Sequence, residues 1–147
     1  MDTIDLTSPF PILKRPLLAY SGHLQNLRWL KPVGEGYICG TVGKALRLEA
    51  IRLWYQGPGV ISMESYVQNI GWMPPTGDGE ICGTTGCGLR MEAIKIQILK
   101  ADNMHIEYQV FQQNKNWSDW YRDGQVAGVI GKNLRLEAIR MRLSFDN

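Results

Sequence analysis

The chain has 147 residues, with 44% hydrophobic and 20% charged side chains. These values exclude wholesale disorder and fit one ordinary globular domain. A net charge of +2 is too small to argue for nucleic-acid binding by bulk electrostatics. No segment approaches the roughly 18 apolar residues of a membrane span. Glycine is the one biased residue, 16 in all, which points to many turns and short strands.

In chain order, residues 1–17 carry Pro9, Pro11 and Pro16 and read as an N-terminal arm that packs outside the domain or stays mobile. Asp2 and Asp5 precede any basic residue, so this stretch does not read as a signal peptide. From residue 18 the chain is an internal triplication, with units 18–60, 61–105 and 106–147. The segments LRLEAIR (46–52), LRMEAIK (89–95) and LRLEAIR (134–140) are nearly identical. Before each lies a Gly-rich stretch, and before that QNLRW, QNIGW and QNKNW, ending at Trp29, Trp72 and Trp117. One pair of offsets, 43 and 45 residues, aligns every motif.

Each unit reads as four strands. Leu18, Tyr20 and Leu24 alternate with polar or small residues, as do Ile61, Met63 and Val67, and Ile106, Tyr108 and Val110. The Trp opens a short second strand. Glu35-Gly36, Asp78-Gly79 and Asp123-Gly124 predict tight turns, because such pairs tolerate positive φ. A short third strand contains Cys39, Cys82 or Ala127. A GxxG turn leads to the fourth strand, whose apolar phase changes, predicting a bulge at Ala50-Ile51, Ala93-Ile94 and Ala138-Ile139. A helix over LRLEAIR competes, since Leu, Glu and Ala favour helix; the IKIQI continuation favours strand. Four short strands repeated three times predict an all-β fold, a β-trefoil with pseudo-threefold symmetry, over a three-bladed propeller.

Gln68 to Trp72 (QNIGW), Gly83 to Gly86 (GTTG) and Arg90 to Ile96 (RMEAIKI) resemble the clostridial hydrophobic-Trp repeat, and the resemblance runs in three copies from Leu18. His23 stands where that family often has His; Tyr66 and Phe111 depart there. The third unit departs at Lys115-Asn116 and Val129-Ile130. The resemblance implies secreted or cell-surface proteins of Gram-positive anaerobes that bind glycan, cell wall or protein. The second unit keeps the pattern best and is expected to bind best.

No catalytic constellation, cofactor motif or metal spacing stands out, so the expectation is a non-enzyme. Gly43-Lys44 and Gly131-Lys132 fail as phosphate loops: Ile38 and Val126 stand where the first Gly belongs, and Ala45 and Asn133 replace the Ser/Thr. Cys82 and Cys87 offer only two metal ligands, and the three cysteines read as reduced thiols. Arg47–Glu49, Arg90–Glu92 and Arg135–Glu137 read as ion pairs that fix adjacent units. The three Trp admit two readings, a core residue in each unit or an apolar platform for a sugar ring. On the second, Trp29, Trp72 and Trp117 bind ligand together with Asn26, Asn69 and Asn114 and the acidic turn residues Glu35, Asp78 and Asp123 of the same unit. Trp54, Trp120 and Tyr121 lack counterparts in the other units and read as exposed, unit-specific contacts. Two functions remain: a multivalent lectin-like module for carbohydrate or cell-wall glycan, and a protein–protein interaction module.

Overall fold

The computed structural model describes residues 3–5 and 12–146. All regular structure among them is β, and the helix over LRLEAIR does not form. Within the arm, β1 (Thr3–Asp5) and β2 (Ile12–Lys14) pair as a separate two-stranded sheet. Residues 1–2 and 6–11, with Pro9 and Pro11, lie outside the described residues.

The first unit contributes β3 (Leu17–Leu24), β4 (Val33–Gly34), β5 (Cys39–Gly40) and β6 (Leu48–Gln56). The second contributes β7 (Val60–Val67), β8 (Gly71–Trp72), β9 (Ile81–Gly83) and β10 (Met91–Leu99). The third contributes β11 (Met104–Gln112), β12 (Tyr121–Arg122) and β13 (Leu136–Phe145). In each unit the two long strands form an antiparallel pair: β3 with β6, β7 with β10, β11 with β13. Their inward residues build the core. Leu18, Tyr20, Leu24, Ile61, Met63, Val67, Ile106, Tyr108 and Val110 are all buried, as the period-two pattern predicts.

The third short strand of each unit crosses to another unit. In the second unit, β9 pairs with β6, with Ile51 opposite Cys82. In the third, Ala127 bridges Ile94 of β10. In the first, β5 pairs with β13, with Ile139 opposite Cys39. Unit 2 therefore completes the sheet of unit 1, unit 3 that of unit 2, and unit 1 that of unit 3. Cys39, Cys82 and Ala127 are equivalent buried positions, and the cysteines are free thiols. Burial pushes the Cys39 thiol up to about 12, so it is an inert packing residue.

The bulge falls one residue earlier than the phase change predicts. His23 and Leu24 oppose Ala50 and Leu48, leaving Glu49 extra. Glu92 and Glu137 are extra in the same way. The physical reason is the carboxylate. The unpaired bulge position turns each Glu inward, where Arg47, Arg90 and Arg135 hold it at 2.8, 2.8 and 2.9 Å. The Glu side chains are only 4–5% exposed, and such a burial is tolerated only with an ionic partner.

Candidate functional site

All three repeat Trp lie on the outward faces of the sheets, which removes the core reading. Trp29 and Trp117 are half-buried and Trp72 is 36% exposed. The cause is the turn before each. Gln25-Asn26, Gln68-Asn69 and Gln113-Asn114 reverse the chain, and each Asn takes a φ near +60°, which Asn tolerates. The following segment folds back over the outer face. There each Trp meets an aromatic ring edge-on: His23 at 5.4 Å, Tyr66 at 5.6 Å and Phe111 at 5.6 Å between centroids. A cation from the second long strand covers a ring face. Arg52 lies 5.8 Å from the Trp29 centroid, Lys95 4.5 Å from Trp72 and Arg140 4.5 Å from Trp117. So Tyr66 and Phe111, departures by residue type, keep the aromatic contact that His23 makes.

The unit-specific Trp extend this pattern. Arg52 also lies 5.4 Å from Trp54, so two indoles flank one guanidinium. In the third unit Arg140 lies between Trp117 and Trp120, and Arg142 covers Trp120 at 3.8 Å. The second unit has Gln97 in the place of Trp54, and Trp72 stands with Lys95 alone.

Asn26, Asn69 and Asn114 are exposed turn residues whose backbone geometry explains them. Their neighbours do the fastening, a role the sequence did not suggest. The side-chain carbonyls of Gln25, Gln68 and Gln113 accept the backbone N–H of Arg47, Arg90 and Arg135 at 3.1–3.2 Å.

The acidic turn residues, expected beside the Trp of their own unit, make their hydrogen bonds elsewhere. Each turn docks on the second long strand of another unit, because its glycine N–H caps that strand. Gly79 donates to Leu53, Gly124 to Ile96 and Gly36 to Met141, at 2.8–2.9 Å. The Asp78 carboxylate accepts the Tyr55 N–H at 2.7 Å, and Glu35 accepts that of Leu143 at 2.6 Å. Asp123 instead takes His105 Nδ1 at 2.7 Å. Asp78-Gly79 thus lies beside Trp54 and Arg52 of unit 1, with Arg52 Nε donating to the Gly79 carbonyl at 3.1 Å.

One concavity lies in the third unit, about 280 Å³ in volume, lined in part by Gln112, Lys115, Asn116, Trp117, Tyr121 and Val129. Its origin is a repeat difference. In the first two units the GxxG loop hydrogen-bonds directly across units, Thr84 N to Glu49 O and Thr41 N to Glu137 O, both at 3.1 Å. In the third, the buried Gln112 amide is interposed. Its Oε1 accepts from Val129 N at 2.9 Å and its Nε2 donates to Glu92 O at 3.1 Å. The loop stands away by the thickness of one amide.

Cyclic strand exchange and three Trp–cation faces define an internally triplicated all-β repeat module. The chain belongs to the Clostridial hydrophobic W family, whose model matches it three times, at residues 23–57, 66–100 and 112–144. No curated protein and no solved structure matches the chain.

Proposed function

We propose that the chain is a non-catalytic, lectin-like module that holds a glycan polymer or cell wall on its outward sheet faces. The observation that carries this reading is the threefold Trp, braced edge-on by an aromatic and left part-exposed on a rigid sheet. A fixed indole is a platform for the apolar face of a sugar ring, and nearby guanidinium and amide groups suit hydroxyls. The closure we propose is pseudo-threefold. A trefoil joins six long strands in one barrel. The registers here favour a three-sided arrangement of separate sheets, since β9 takes the outer edge of β6 and β5 that of β13. The three faces then point in three directions, so avidity comes from several faces engaging one polymer.

Units 1 and 3, each with two indoles about an Arg, are the stronger sites, ahead of the unit closest to the family pattern. Trp29, Trp72 and Trp117 lie outside the core, so Trp→Ala at each tests binding without unfolding. Retention on insoluble polysaccharide and purified cell walls should fall for Trp29→Ala and Trp117→Ala more than for Trp72→Ala, and vanish in the triple variant, while all melt cooperatively. Monomeric sugars should bind weakly. A wild type that passes unretained over glycans and walls, yet captures one protein, replaces this reading with the interaction module.

A further inference from the structure

The three QN turns and the three GxxG loops lie at one end of the molecule. Leu24 and Leu48 face each other at that end of the first sheet, Val67 and Met91 in the second, Gln112 and Leu136 in the third. Each GxxG loop runs from the end of one sheet to the same end of another. Thr84 bonds Glu49 of unit 1, and seven residues later Met91 begins the return strand of unit 2. Thr41 joins units 3 and 1 in the same way. In the third loop Gly131 N donates to Glu92 Oε1 at 3.4 Å, and Asn133 accepts from Arg90 at 3.0 Å. The loops therefore close a ring.

The charge on that ring has one sign. Residues 25–28, 68–71 and 113–116 of the turns, and 40–47, 83–90 and 128–135 of the loops, contain seven Lys and Arg and no Asp or Glu. Arg47, Arg90 and Arg135 are neutralised by the buried Glu49, Glu92 and Glu137. Arg28, Lys44, Lys115 and Lys132 are exposed and have no carboxylate partner among the described residues. The chain as a whole carries only +2, so the cations are segregated rather than numerous. One of these cations adjoins a Trp face, since Lys115 and Trp117 line one concavity.

We propose that the glycan taken by the Trp faces is an anionic polymer, its carboxylate or phosphate groups held by Arg28, Lys44, Lys115 and Lys132. This rests on the lectin reading and adds the charge of the ligand to it. A polymer fits better than a small anion, because the four cations stand on four different segments of the ring and share no acceptor. Each contact to a fixed anionic group releases a counterion, so binding weakens as salt rises.

The test is affinity electrophoresis of the full chain in gels holding polygalacturonate, poly(glycerol phosphate) or the neutral polymer pullulan, at two salt concentrations. The first two separate carboxylate from phosphate as the anionic group. The wild type should be retarded by at least one acidic polymer about tenfold more than by pullulan, and less so in high salt. The variant Arg28→Gln/Lys44→Gln/Lys115→Gln/Lys132→Gln should lose that excess and keep its pullulan retention and its melt. The variant Lys31→Gln/Lys100→Gln, which removes exposed cations away from the ring, should lose less than about twofold. Equal retardation by neutral and acidic polymers, or an equal loss per charge in the two variants, overturns the proposal and leaves the lectin reading standing. Single-stranded DNA binding as tightly as the acidic glycan overturns it too. No retention on any polysaccharide overturns both readings.

Discussion

Gly40, Gly83 and Gly128 mark the closest approach between units. Their φ values are +104°, +108° and +112°, a region that L side chains rarely adopt. A Cβ there would stand 2.9 Å from the Cα of Ala138, Ala50 or Ala93, with a Glu carbonyl nearer still. The obstacle is backbone, which cannot move aside. Gly83→Ala should therefore destabilise by about 3 kcal/mol or more, read as a lowered denaturation midpoint. The adjacent thiol behaves oppositely. Ala127 already fills the site equivalent to Cys39 and Cys82, so Cys82→Ala should cost only about 1 kcal/mol. His105 gives the fold a pH dependence. Its ring sits between Asp146 at 3.0 Å and Asp123 at 2.7 Å. The hydrogen bond to Asp146 raises its pKa first, and that to Asp123 adds to it. Both bonds need a proton on both nitrogens, so the tie is complete below the ordinary histidine value. It is lost as pH rises through the raised one. The protection of amides near Asp146, taken relative to intrinsic exchange at each pH, should fall as pH rises through the raised histidine value in the wild type, and His105→Gln should remove that fall.

At the scale of elements, the long strand pairs were legible because alternation marks their inward residues. The repeated glycines were legible as turns, but not as close approaches, since the neighbour they admit belongs to another unit. The partner of β9 was illegible for the same reason: backbone hydrogen bonds to β6 set it, with no side-chain signature. The Trp were legible as a repeated feature and illegible as surface. Their place depends on the QN turn folding the chain outward, and indole apolarity alone suggests burial. The signal was nonetheless in the repeats. Arg52, Lys95 and Arg140 are matched cations, and His23, Tyr66 and Phe111 matched aromatics, each meaningful only beside the Trp. Gln112 is the instructive exception, a polar residue where the other units have Leu24 and Val67. It satisfies Val129 N, and its two amide hydrogens are shared among the Glu92, Val129 and Leu134 carbonyls. Gln112→Leu should leave those groups unpaired and cost about 2–4 kcal/mol, despite restoring the apolar residue of unit 1. The loss is read as a lowered denaturation midpoint; an unchanged midpoint would mean that the loop has closed onto Glu92, with Val129 N donating to its carbonyl as Thr84 N does to that of Glu49.

For the whole molecule, the exchange of short strands makes a ring and not a stack. In a stacked array the end units are capped, and removing one leaves the rest folded. Here β5, near the start of the chain, pairs with β13, at its end. Ending the chain at Asp102 would deprive β5 of β13 and β10 of Ala127, two open edges from one cut. Such a fragment should show no cooperative melt. The ring also implies where the ends lie. Units 1 and 2 join through the three residues 57–59, and units 2 and 3 through the four residues 100–103. If the third corner has the same geometry, a comparably short link from Phe145 to Leu17 should close the ring without strain. The decisive variant is a circular permutant that omits residues 1–16, joins Phe145 to Leu17 through about four flexible residues, and opens at Pro58, in a loop tip where new ends are tolerated. It should melt cooperatively, with a midpoint close to that of the native order. Loss of folding in this permutant, with a stable fragment ending at Asp102, would mean that the units stack in a line.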